Sequence, residues 1–222
     1  TKPLLSHNTS QRVFSIVHDK QRFHHMNTTS KIQGSEQGQA LSKSFRSHYR
    51  RSISRHYHGL LHAGAVMGIG LFSVGISLRP VTFNPLQHVP LILFTISLIN
   101  FAEYASHRWL GHKKTRLMAI FYSRHSVDHH SFFTDRNMSF ESTQDWRVVL
   151  FPVYLILAFI FGLAPVTLLL GRIFDENAAR IFFSTAILCY LLYELMHFSY
   201  HIPNKHFLEK IPGWKNLHNH HK

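Results

Sequence analysis

Val148 to Gly171 is a run of 24 residues without a formal charge. As a helix rising about 1.5 Å per residue, it is long enough to span the roughly 30 Å of hydrocarbon in a bilayer. No soluble core needs an apolar helix of that length unbroken, so the chain is expected to reside in a membrane. Three other segments fit the same reading. Gly59 to Leu78 is 20 residues with one histidine, His62, and no formal charge. Val89 to Ala102 is a shorter apolar run that continues as a helix to about Leu110, and Ile181 to Tyr193 continues through Glu194 to His201. Pro152 and Pro165 mark kinks in the longest run. The fold expected is all-α: an integral membrane bundle of four transmembrane helices over residues 59–222, with a cytosolic helical cap. The alternative for the two shorter runs is a buried or re-entrant helix.

Charge supplies the orientation. The chain carries a formal net charge of +13, which taken alone suggests nucleic acid or an anionic membrane. The basic residues flank the apolar runs, where orientation explains them better and leaves no nucleic-acid partner to invoke. Residues 1–58 hold ten basic and two acidic residues. They read as a mostly disordered tail ending in the basic stretch Arg46 to Arg55, with an organellar transit segment as the alternative. A basic tail belongs in the cytoplasm, and so does the segment 107–147, with its seven Lys and Arg. Alternation across four spans then puts every histidine from His107 onward on the cytosolic side. The one cysteine, Cys189, excludes an internal disulfide.

Twenty histidines in 222 residues demand an explanation. Nine precede residue 100 without usable ligand spacing; His24 with His25, and His56 with His58, read as solvated tail residues. The others cluster: His107 and His112; His125, His129 and His130; His197 and His201; His206 with His218, His220 and His221. Spacing i, i+4 puts two imidazoles on one helix face, the geometry for chelating one metal, and His125/His129 and His197/His201 both have it. His130, rotated from His129, suits a second metal. His107 and His112 would splay on a straight helix, but Gly111 can break the helix and turn His112 back. Glu103 precedes His107 and Glu194 precedes His197, so each can accept the second ring N–H of a ligating imidazole; the alternative is that they face the headgroups. One zinc needs at most four ligands, so the histidine count argues for two metals. Imidazole alone does not choose among iron, zinc, copper and nickel. His197-Phe-Ser-Tyr-His201 lacks the glutamate of H-E-x-x-H, and no C-x-x-C is present, which excludes a zincin-type protease, a zinc ribbon and an attached haem.

Three segments, E103-Y-A-S-H-R-W-L-G-H112, H125-S-V-D-H-H130-S-F-F-T and Y193-E-L-M-H-F-S-Y-H201-I-P, resemble the boxes of the fatty acid hydroxylase superfamily. That superfamily includes sphingolipid fatty acid 2-hydroxylases, sterol C4-methyl oxidases, sterol desaturases and carotenoid hydroxylases. The resemblance covers roughly residues 90–222. It implies a cytosol-facing site with two iron ions (zinc in purified protein being an alternative), O2 as cosubstrate and a lipid substrate, either a fatty acyl chain or a ceramide. Electrons would come from a separate donor, a cytochrome b5 or a reductase, since H-P-G-G is absent. The implied ligands are His107, His112, His125, His129, His130, His197 and His201. The last box of the family is matched only by L217-H-N-H-H-K222. Either His221 opens a box clipped at Lys222, the preferred reading, or His218, His220 and His221 form an irregular one. Sterol or carotenoid oxidation, desaturation and a non-catalytic metal-binding relative are the alternatives, and the location would be endoplasmic reticulum in a eukaryote or inner membrane in a bacterium.

Overall fold

The computed structural model describes residues 36–113, 116, 119–134 and 136–221. Residues 1–35, with His24, His25 and most of the expected tail, lie outside the described residues, as does Lys222. Every regular element described is helical, with no strand. In chain order they are α1 (Glu36–Ser52), α2 (Gly59–Leu78), α3 (Pro85–Ala105) running into a π-helical turn, π1 (Ser106–Gly111), then α4 (Ala119–Tyr122), π2 (Ser123–His129), α5 (His130–Phe132), a 3-10 turn (Thr143–Asp145), α6 (Trp146–Val149), α7 (Val153–Ile173), α8 (Glu176–Ser199), a second 3-10 turn (Leu208–Lys210) and α9 (Trp214–His221).

Four stretches are long and apolar enough to cross a membrane: Gly59–Leu78, Pro85–Gly111, Thr143–Ile173 and Glu176–Ser199. The helix α8 is central and packs against α2, α3 and α7. In its most apolar window 56% of residues are buried, against 22% in α2 and 11% in each of the other two stretches, so α8 is the core helix of the bundle and its partners present large apolar faces outward. Leu61, Phe72, Leu86, Phe161 and Leu168 are all at least 70% exposed. Outward apolar faces of this extent are what a hydrocarbon solvent accommodates and water does not. Between the helices, Val66, Ile156, Ala186, Ile187 and Leu191 form the buried centre. Here Gly70 permits close approach, since a Cβ at this position would lie 2.8 Å from the Leu191 methyls.

The longest run does not begin as one helix. Pro152 lacks an N–H to donate and disfavours helix at the residue before it, so α6 stops at Val149 and α7 starts at Val153. Pro165 lies inside α7 as expected.

A second core sits at the histidine end. Phe45, Tyr49 and Ile53 of the α1 segment pack on Phe132, Phe133, Val148 and Val149. This corrects the reading of residues 36–58 as part of a disordered tail. Arg46, only 2% exposed, donates from Nε to the Phe132 carbonyl (2.8 Å), from one terminal nitrogen to Glu141 (2.9 Å) and from the other to the Asn137 carbonyl (2.8 Å). Its guanidinium also lies 4.6 Å from the Phe132 ring centroid. Arg50 binds both oxygens of buried Asp145 at 2.8 Å. Two basic residues of the supposed tail thus clasp the segment 132–145, and the forked Arg50–Asp145 pair adds directional precision to that contact.

Candidate metal centre

The His boxes converge through two π turns. In an α-helix, residues five apart point roughly 140° away from each other. A π turn, with i→i+5 bonding, is wider and brings such residues back toward one face. His107 lies in π1 and His112 just after it, and their rings lie 4.8 Å apart between centroids. The same geometry governs π2, where the His130 N–H donates to the His125 carbonyl five residues back. His125 and His130 therefore turn toward His112, with centroid distances of 5.0 and 5.2 Å, while His129 turns toward α8.

The i, i+4 pair His125/His129 was expected to hold one metal, and the structure divides it. His125 joins His107 and His112 in one group of potential ligands. His129 joins His197, His201 and His221 in another. The two rings remain stacked, 9° from parallel with centroids 5.7 Å apart, so the groups lie side by side. His130 flanks the three-histidine group without belonging to either set.

In the four-histidine group His129, His197 and His201 are buried, and two of the imidazoles are aimed. His129 Nδ1 donates to the Val148 carbonyl at 3.2 Å, and His201 Nδ1 to the Met138 carbonyl at 2.7 Å. A carbonyl only accepts, so each Nδ1 carries the proton and each Nε2 keeps its lone pair for the centre. The Nε2 atoms of His201 and His221 are 3.1 Å apart, those of His129 and His221 3.4 Å, and those of His129 and His197 3.5 Å. An imidazole-held zinc, at about 2.0–2.1 Å, places neighbouring tetrahedral nitrogens about 3.3–3.4 Å apart. The residues present therefore fit a metal ion. Burial, with a smaller contribution from neighbouring histidines, drives His129 and His201 well below their ordinary pKa and His221 down to about 4. Neutral imidazole is the ligating form.

In the three-histidine group, His125 is buried and its Nε2 has no hydrogen-bond partner. Burial first, then the adjacent histidines, push its pKa down to about 2. A metal would satisfy this orphaned nitrogen. Gly111 ends the helix, as expected, with His112 just past it, and it has a second role: a Cβ there would lie 2.9 Å from His125 Cδ2, so glycine is also what lets the ring seat against π1. Ser126 holds the same turn by donating to the Gly111 carbonyl.

Several expected site residues lie elsewhere. Neither glutamate bonds a ligating histidine among the described residues. Glu194 Oε1 accepts from the Phe151 N–H and the Tyr190 hydroxyl, both at 3.3 Å. It thereby satisfies a backbone donor freed where Pro152 interrupts the helix. Glu103 lines the apolar cavity described below. His218 stacks on Trp214, 10° from parallel, with its Nε2 3.1 Å from Lys205 Nζ, and His220 is exposed. Of the last cluster only His221 reaches the centre, because the side chains of α9 point to different sides. That helix is pinned by buried Trp214, whose indole N–H donates to Ser199 Oγ at 2.8 Å.

Sequence reasoning missed α1 and the segment it clasps. The Phe140 N–H donates to the His201 carbonyl at 3.0 Å, and the Met138 carbonyl fixes the His201 ring, so the Arg46 and Arg50 contacts reach the centre through two links. The spacing of Phe45, Tyr49 and Ile53, four residues apart each time, was the available signal, an apolar stripe at helical period.

Between α3 and α8 lies a cavity of about 970 Å³, lined mainly by apolar side chains. It extends from Leu78 and Phe83 to Tyr193, Tyr200 and Leu217, and the Tyr200 ring lies 5.1 Å from that of His221. Comparison of the chain with protein-family models, with curated proteins and with solved structures found no match. What the fold and site define is an all-helical chain with four helices long and apolar enough to cross a membrane, and with two adjacent histidine groups that could hold metal.

Proposed function

We propose that this chain is a membrane-bound lipid hydroxylase with two metal ions, iron by the chemistry required, held at the cytosolic end of its bundle. The observation that carries this reading is the pairing of two adjacent all-nitrogen donor sets with a long apolar cavity that ends beside them. His129, His197, His201 and His221 would hold one ion. His107, His112 and His125 would hold the other, with His130 at its edge. The order of the boxes, like that of the fatty acid hydroxylase superfamily, supports the same reading.

Bound iron would supply the activation of O2. The overall change is a C–H bond, O2, two electrons and two protons giving C–OH and one water. A separate cytochrome b5 or reductase would deliver the electrons. The chain's own residues do the rest. The walls of α3 and α8 hold an acyl chain or ceramide by apolar contact and exclude water. Tyr200, at the cavity mouth, limits how close the chain comes to His221. The Val148 and Met138 carbonyls keep the Nε2 lone pairs of His129 and His201 directed inward.

One observation favours a second reading: the three-histidine group has an exposed member, His112, and no carboxylate, as a metal-binding relative without turnover would. The test is product analysis. Proteoliposomes with an acyl lipid, iron, a reductase system and ¹⁸O2 are expected to give a hydroxylated lipid carrying ¹⁸O. Metal-loaded protein that yields neither hydroxylated nor desaturated lipid would overturn the enzyme reading.

A further inference from the structure

On the α2–α7 side of the bundle, away from the apolar cavity, is a second pocket of about 570 Å³. His58 and Pro152, the residues that start α2 and α7, both line it. It therefore opens at the same end of the bundle as the histidine groups. One wall carries the cations Arg124 and Arg147 beside His56 and His58, and no acidic residue lines the pocket. The other wall, including Leu61 and Val153, is apolar and continues onto the outward faces of α2 and α7.

The two arginines differ. Arg124 is engaged: it donates to the Tyr49 hydroxyl at 3.2 Å and to the Arg147 carbonyl at 3.1 Å, and lies 3.8 Å from Asp128. The guanidinium of Arg147 is only partly exposed and makes no hydrogen bond or ion pair with any described residue. A second guanidinium beside it and no counter-charge in the wall make this a position of positive potential that an anion would relieve. A planar fork of donors is suited to phosphate oxygens. The apolar wall decides which phosphate: a soluble anion gains nothing from Leu61 and Val153, whereas a lipid places its headgroup on the arginines and its chains along α2 and α7.

We propose that this pocket binds the phosphate of an anionic phospholipid, with Arg147 and Arg124 as its charge partners. The inference rests on the membrane reading above. The site backs onto the metal centre, because Arg124 and Arg147 also line a small cavity of about 20 Å³ against His125, His129 and His197.

The test is native mass spectrometry of the full chain, delipidated in an uncharged detergent and titrated with phosphatidylglycerol, phosphatidylcholine or inorganic phosphate. Phosphatidylglycerol is expected to bind at least about tenfold more tightly than phosphatidylcholine, and to weaken about tenfold in Arg147→Gln, the loss of one charge-assisted contact. His58→Glu, at an exposed position on the rim, should weaken it as well, and Arg172→Gln, at the opposite end of α7, should not. Equal affinity for the two lipids, undiminished binding in Arg147→Gln, or complete displacement by equimolar inorganic phosphate would overturn the proposal. Metal content is read on the same samples. Two metals with lipid binding indifferent to Arg147 sinks this site alone; Arg147-dependent lipid binding without metal sinks the oxygenase reading alone.

Discussion

The two histidine groups are built to different standards. The four-histidine group draws on π2, α8, the turn that follows α8 and α9, and two of its rings are fixed by backbone carbonyls. The three-histidine group draws on two π turns; its member His112 is exposed, and its buried His125 Nε2 has no partner. Two rings of the first are set by the folded chain, although its His197 Nδ1 also has no partner, whereas the second leaves a nitrogen that only an ion would complete. An asymmetry of this kind predicts that the two metals will differ in affinity and in their sensitivity to mutation.

The largest effect is expected from His129→Ala. It removes a ligand from the tighter group and a neighbour of the other, so both bound metal and product should fall by more than the roughly 10- to 100-fold that loss of an outer hydrogen-bond partner costs. Elemental analysis with product assay checks this. Gly111→Ala sharpens the comparison. Its methyl would press on His125 at 2.9 Å, so metal content should drop from two per chain to one, with the four-histidine group still loaded. If both metals persist, the three-histidine group is more adaptable than its packing suggests.

Arg46→Ala tests the remote support of the tighter group. It removes the charged donor shared by Glu141 and the Phe132 and Asn137 carbonyls and should cost about 1–3 kcal/mol, read as a lower unfolding midpoint, with weaker metal retention because the segment carrying Met138 loosens. The pH dependence is gentler. Burial lowers the folded-state pKa of His125, His129, His201 and His221, whereas in the unfolded chain they titrate near 6.5. Above that pH neither state is protonated at these positions and they add no slope. Below it the unfolded chain takes up protons that the folded chain refuses, so stability of the metal-free protein should fall with pH, by about 1 kcal/mol per histidine for each unit below 6.5. Thermal unfolding between pH 7.5 and 5.5 reads the sign; greater stability at pH 5.5 would contradict it. The smallest effect is His220→Ala. An exposed residue outside both groups should change stability by no more than about 0.5 kcal/mol and leave metal content unchanged.

The sequence made the spans legible because hydrophobic length is a property of composition. Gly59–Leu78 was readable to the residue, and in Val148 to Gly171 the kink expected at Pro152 is a full break, with the helix after it running on to Ile173. The histidine boxes were legible as clusters but not as groups. The i, i+4 rule assumes an α pitch, and the π turns change it, which is why His125 and His129 part company and why His107 and His112 meet where π1 ends at Gly111. Glu194 looked like a partner for His197 from spacing alone; the unsatisfied N–H of Phe151, created by a proline 42 residues earlier in the chain, claims it instead. Residues 36–52 were hidden by average polarity, although Phe45, Tyr49 and Ile53 keep helical period across that segment.

The measurement that tests the account most directly is the number of metal ions per chain in purified, detergent-solubilised protein, wild type beside Gly111→Ala and His129→Ala. Two ions in the wild type, one in Gly111→Ala and a near-complete loss in His129→Ala would support two unequal, adjacent sites. One ion or none in the wild type, or two ions retained in His129→Ala, would contradict them.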